Sequence, residues 1–128
     1  MTRKDSLNYT LTAVKVGALP EAVFHGSSSI SGHWAYKSGL DELERRQVFL
    51  AYNGSLDAVL ALHNSLLPGW SWDLSSSGEV SLWPPDGHKM LEDYTKFYPF
   101  SGIYSENQTF ARAWLIAILE ALLWECNE

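Results

Sequence analysis

Residues 105–125 read SENQTFARAWLIAILEALLWE, a helical run that is apolar almost all the way round. At about 100° per residue, Thr109, Arg112, Ile116 and Glu120 fall on one narrow stripe, and three of these four are polar. Phe110, Ala113, Trp114, Leu115, Ala117, Ile118, Leu119, Ala121, Leu122 and Leu123 cover the remaining surface. A helix of this kind is either deeply buried or spans a membrane. A span needs about 20 apolar residues, and the uninterrupted stretch from Ala113 stops at Leu119, before Glu120. The run is therefore expected as a core helix near 107–125, covered on more than one side by a hairpin and by a helix at 56–67. Its start is signalled twice. Ser105 with Gln108 makes a capping box, and Asn107 is an equally good N-cap.

A chain of 128 residues, 46% apolar with six Trp, suits one domain with a real core, spanning 1–128. Residues 1–39 read as a looser N-terminal extension. The opening MTRKDSLNYTLT is too polar for a secretory h-region. Cys126 is the single cysteine, so no intrachain disulfide forms and no Cys-based metal site is expected. Nothing in these features contradicts a reducing cytoplasm. Net charge is −6, and the cations are scattered apart from Arg3–Lys4 and Arg45–Arg46. Phosphate neutralisation needs clustered cations, so duplex nucleic acid is excluded as a partner. A basic protein partner suits an acidic surface.

Along the chain, Ser6 is a plausible cap for a helix at 6–16, with Leu7, Leu11 and Val14 at helical spacing and Gly17 as the stop. Leu19-Pro20-Glu21 opens a possible second short helix. His25 to His33 has the composition of a Ser/Gly loop. Ser38-Gly39-Leu40-Asp41 opens a helix at 40–52, its acids at the N-terminus as the dipole favours, with Leu40, Leu43, Gln47 and Leu50, flanked by Val48 and Phe49, as its expected buried face. Asn53-Gly54 breaks it. Ser55 caps a helix at 56–67 whose apolar arc holds Leu56, Val59, Leu60, His63, Leu66 and Leu67. Trp70-Ser71-Trp72-Asp73-Leu74 alternates as a half-buried strand does, Ser75 to Gly78 is a turn, and Val80 and Leu82 continue a hairpin over 70–83 that Pro84-Pro85 ends. Trp70, Trp72 and Leu74 should share the inner face with Val80 and Leu82, and Trp83 should point to the other face. A third strand is expected near 100–104. The expected fold class is α+β, a small antiparallel sheet of about three strands packed with helices.

Two segments resemble a known group. Gly54-Ser55-Leu56-Asp57-Ala58-Val59-Leu60-Ala61-Leu62-His63-Asn64-Ser65-Leu66-Leu67-Pro68-Gly69-Trp70 is similar to a "GSLDAALALHEALLPGW" signature, and Phe110 to Leu119 resembles "PARAWLLAIL". Both belong to uncharacterised phage and prophage proteins that resemble the phage α/β/α (ABA) sandwich domain family. The likeness covers roughly 40–83 and 100–124, departs at Phe110, where the group often has Pro, and does not reach residues 1–39. Its motifs are structural, so it implies origin and fold: a small phage accessory protein in the cytoplasm of a bacterial host.

No Gly-rich phosphate loop, His-x-x-x-His pair or Cys pair is present, and neither a cofactor nor a metal is expected. His25, His33, Asp86 and His88 make a zinc site only on paper, as any four such residues do. His63, inside an apolar arc, is expected to be a core imidazole bonded to a backbone carbonyl rather than a proton-transfer group. The aromatic residues are the better lead. Core packing absorbs Trp70, Trp72, Trp114 and Trp124, and leaves Trp34, Tyr36, Trp83, Tyr94, Tyr98 and Tyr104 as candidate binding residues. Three functions are open: a non-enzymatic protein that binds a host protein, such as a defence or regulatory factor; a binder of a nucleotide-like small molecule using Lys89, Lys96 and Arg112; and a nucleotide-directed hydrolase using His63 or His88. A homodimer through the outer sheet face would also account for Trp83.

Overall fold

In a computed structural model of the chain, the residues described are 2–19, 38–75, 79–85, 100–103 and 109–126. They form helix α1 (Arg3–Val16), α2 (Glu42–Tyr52), α3 (Leu56–Leu66), strands β1 (Ser71–Leu74), β2 (Glu79–Trp83) and β3 (Phe100–Ile103), and helix α4 (Phe110–Cys126). The fold class is α+β. Three antiparallel strands lie in the order β1-β2-β3.

The helix ends follow local chemistry. Asp41 and Glu44 exchange side-chain-to-backbone hydrogen bonds at the start of α2, at 2.7 and 3.0 Å. The Ser55 hydroxyl accepts from the Ala58 N–H at 3.1 Å. Gly17 ends α1 in the left-handed region at φ 75°, where a side chain is disfavoured. Two starts differ from expectation. The first helix begins at Arg3 and is capped by Thr2 boxed with Asp5, not by Ser6, which is buried inside its first turns. Thr2 has a carboxylate at the N3 position to complete the box, whereas Ser6 is followed three residues later by Tyr9. The C-terminal helix begins at Phe110, and the Thr109 hydroxyl accepts from the Arg112 N–H at 3.1 Å. The expected Ser105, Asn107 and Gln108 caps lie outside the described residues, as do the expected short helix after Leu19, the 25–33 segment and residues 86–99.

α4 is the axis of the molecule. Every residue from Ala113 to Leu119 is buried, which over two turns requires cover on all sides. The sheet packs on it through β2 and β3, and α1, α2 and α3 pack on it as well. The polar stripe is engaged by neighbours along its length. Thr109 caps, Arg112 reaches the end of α2, Ile116 is buried, and Glu120 meets Lys15 of α1 at 3.3 Å.

The facing of α2 corrects the expectation at Leu43 and Leu50 and agrees with it at Leu40 and Val48. Val48, Ala51 and Tyr52 are buried, while Leu43 and Leu50 are 61% and 45% exposed. In α3 the buried arc is likewise rotated, taking in Ala58 and Leu62 and leaving Leu56 and Leu60 at its exposed margin. The period of each helix is as expected, and the buried arc keeps Val48 in α2 and Val59 and His63 in α3 while turning away from Leu43, Leu50, Leu56 and Leu60. In a short helix with apolar residues on several faces, the neighbours decide which face turns inward.

The hairpin register pairs Ser71 with Trp83, Trp72 with Leu82, Asp73 with Ser81 and Leu74 with Val80. Trp72 and Leu74 therefore share a face with Val80 and Leu82, and Trp83 lies on the other, as the alternation implies. β3 continues the sheet with Leu82 opposite Phe100 and Val80 opposite Gly102.

Candidate functional site

His63 stands at the meeting point of α3, β1 and α4. α3 places its ring against Trp114, edge to face, with centroids 5.6 Å apart. Nε2 lies 2.9 Å from the Trp70 carbonyl, and Nδ1 lies 3.1 Å from Trp114 Nε1. The indole N–H can only donate, so Nδ1 accepts and Nε2 carries the hydrogen that goes to Trp70. One neutral tautomer satisfies both bonds. The ring is 1% exposed, and burial pushes its pKa below the ordinary 6.5, against the opposing effect of the Trp70 carbonyl. Neither nitrogen is left for proton transfer, so His63 is a structural imidazole.

A pH dependence follows. A folded-state pKa below the unfolded value means that the unfolded chain binds the proton more readily, so stability rises with pH across that window. The contribution of His63 is complete above about pH 6.5 and is lost as pH falls below that value. Urea midpoints measured from about pH 7 to 5 should decline more steeply in the wild type than in His63→Leu. Equal slopes would show that the ring titrates normally.

Arg112 is also committed to the fold. Its Nε donates to the Tyr52 carbonyl at 3.0 Å, and its guanidinium carbon sits 4.0 Å from the centroid of the Tyr52 ring. A cation on the last carbonyls of α2 complements the helix dipole. Of the three cations weighed for a phosphate, Lys89 and Lys96 lie outside the described residues.

Trp34, Tyr36, Tyr94, Tyr98 and Tyr104 likewise lie outside the described residues. Trp83 is 41% exposed, at the end of β2 on the outer sheet face. Trp72 departs from its assignment to the core. Its ring rests 4.5 Å from Trp114, yet the residue is 43% exposed, and Leu74 beside it is 38% exposed. Edge position is the cause: β2 has a strand on each side and buries Val80 and Leu82, whereas among the described residues β1 has a neighbour on one side only. The signal available in the sequence was that β1 opens the hairpin; among the described residues no strand precedes it. The hairpin thus shows indole on both faces, Trp72 inside and Trp83 outside, with the exposed carboxylates of Asp73 and Glu79 alongside.

Comparison of the chain with protein-family models, curated proteins and solved structures finds no match.

Elsewhere, a depression of about 370 Å³ is lined by Asp41, Glu42, Leu43 and Arg46, where Arg46 lies 3.6 Å from Glu42. Another of about 250 Å³ lies between the starts of α3 and α4, lined by Gly54, Leu56, Thr109, Phe110 and Ala111. The first is lined by the start of a single helix, and the second has the Thr109 hydroxyl as its one polar side chain. Among the described residues no three His, Cys, Asp or Glu converge on a metal position, and no helix is long and apolar enough to cross a membrane.

Proposed function

We propose that this protein is a non-enzymatic binding protein of phage or prophage origin that captures a host protein through the aromatic, acidic surface of its hairpin, blocking a defence or regulatory factor. The observation that carries this reading is the hairpin itself, whose two indoles are each about two-fifths exposed, on opposite faces, beside two exposed carboxylates. Large rigid aromatic side chains supply most of the energy at protein interfaces, and negative charge selects a basic partner and speeds the encounter. The phage setting rests on the resemblance of 54–70 and 110–119 alone. A hydrolase centred on His63 has no support, since both ring nitrogens are engaged. Sequestration of a nucleotide-like molecule has less support than protein binding, because Arg112 is held by Tyr52.

The test is capture from host lysate by tagged protein, with Trp83→Ala beside the wild type. A hot-spot aromatic costs about 2 kcal/mol or more when truncated, a loss of roughly thirtyfold in affinity. The captured partner should therefore be strongly depleted in the variant while its urea midpoint stays close to wild type. Undiminished capture would remove Trp83 from the interface and this surface from the function.

A further inference from the structure

Among the described residues β1 has an outer edge with no paired strand, and the chemistry of that edge is specific. The Ser75 N–H donates to the Glu79 carbonyl at 2.8 Å. Antiparallel ladders alternate bonded and non-bonded pairs, so 73↔81 and 71↔83 are the bonded pairs and 72↔82 and 74↔80 are not. The N–H and C=O groups of Trp72 and Leu74 therefore point away from β2. β1 ends the sheet, all four of its residues are exposed, and among the described residues no strand pairs with that edge. The same two residues project exposed apolar side chains on the inner face, while Asp73 projects its carboxylate on the outer one.

Unpaired edges invite strand addition, which proteins resist with short strands and charge. Asp73 sets which strand is resisted. Two copies of β1 that used all four edge groups would pair Trp72 with Leu74 of the second copy and Leu74 with its Trp72. Asp73 would then face its own counterpart in a non-bonded pair, where side chains approach most closely. A register centred on Trp72 would need Trp70, whose N–H is bonded to the Leu67 carbonyl and whose carbonyl is bonded to His63. Self-pairing in these two registers is opposed, and a strand with a cation at the central position is attracted.

We infer that the β1 edge is a strand-addition site for an extended segment of another protein with the pattern apolar–basic–apolar. The basic residue sits opposite Asp73, and its apolar neighbours sit beside Trp72 and Leu74. Backbone hydrogen bonds from Trp72 and Leu74 give the segment its hold, and the alternating side chains give its selectivity. The inference rests on the binding function proposed above and names the chemistry of the partner.

The probes are two blocked synthetic peptides, Thr-Val-Lys-Val-Thr and Thr-Val-Glu-Val-Thr, titrated into the full chain while amide hydrogen exchange is followed by NMR. The Lys peptide should bind about tenfold more tightly than the Glu peptide, given cross-strand pairs that attract in one and repel in the other. It should slow exchange at Trp72 and Leu74 and leave Asp73, already bonded to Ser81, unchanged. Asp73→Lys, at an exposed position, should reverse the preference. Equal binding, absence of binding or unslowed edge amides would overturn the inference. So would edge amides already protected in peptide-free protein, whether as a monomer or as a dimer by native mass. The two proposals fail separately: if a lysate partner is lost in Trp83→Ala but retained in Asp73→Lys, the binding function stands and the strand-addition site falls.

Discussion

His63→Ala is expected to destabilise the protein by about 3–4 kcal/mol, a large share of the 5–15 kcal/mol typical of a whole domain. Three losses combine. The ring is fully enclosed, so its removal leaves a cavity between α3 and α4. The Trp114 N–H and the Trp70 carbonyl each lose the partner that permits their burial. An unsatisfied buried polar group costs about 1–3 kcal/mol, and the lost packing adds to that. His63→Leu separates the contributions, because it keeps most of the volume and orphans the same two groups, and should cost less than the alanine variant. Urea unfolding is the measurement, with a fall in midpoint of roughly 2 M and little change in slope for the alanine protein. A wild-type midpoint in both variants would mean that the two hydrogen bonds are not what holds Trp114 in place.

Leu119→Ala is expected to cost about 3 kcal/mol. Leu119 has no exposed surface and lies in the stretch of α4 that is covered by the sheet on one side and by helices on others. The walls of such a site are anchored in separate elements and relax little into the space left. Its neighbour in sequence makes the contrast. Glu120→Ala removes only the ion pair with Lys15, whose side chains are 50% and 29% exposed, and pairs of this exposure contribute less than about 1 kcal/mol. Thermal or urea unfolding of the two variants should rank them well apart. Similar destabilisation by both would contradict the enclosed position of α4.

Both expectations grow from features with different visibility in the sequence. That Leu119 is buried follows from the composition of its own helix, since it closes the uninterrupted apolar stretch from Ala113 and Ala121 to Leu123 resume it beyond Glu120. That His63 is held by two indole-bearing residues does not. The imidazole falls in an apolar arc, which implies a core position, but its partners lie seven and 51 residues away. Trp72 shows the converse. Alternation places it on the inner face, and only the order of strands leaves that face open at the edge. The same distinction governs the candidate site: Trp83 is readable as outward-facing from the pleat, whereas the outward-turned amides of Trp72 and Leu74 emerge only from the register.

The amino-acid sequence by itself determined the features whose partners lie within a few residues. The Asp41–Glu44 box, the Ser55 cap, the Gly17 stop and the alternation of 71–74 and 79–83 are all of this kind, and so is the apolar girth of α4. Tertiary structure alone decided which way α2 turns, what the polar stripe of α4 meets, and which strand stands at the edge. The physical reason is range. A cap or a pleat is settled by groups that the chain brings together over one turn or one strand. The phase of Leu43 and Leu50, the reach of Arg112 to Tyr52 and the exposure of Trp72 depend on elements that arrive from far along the chain, and local pattern carries no record of them.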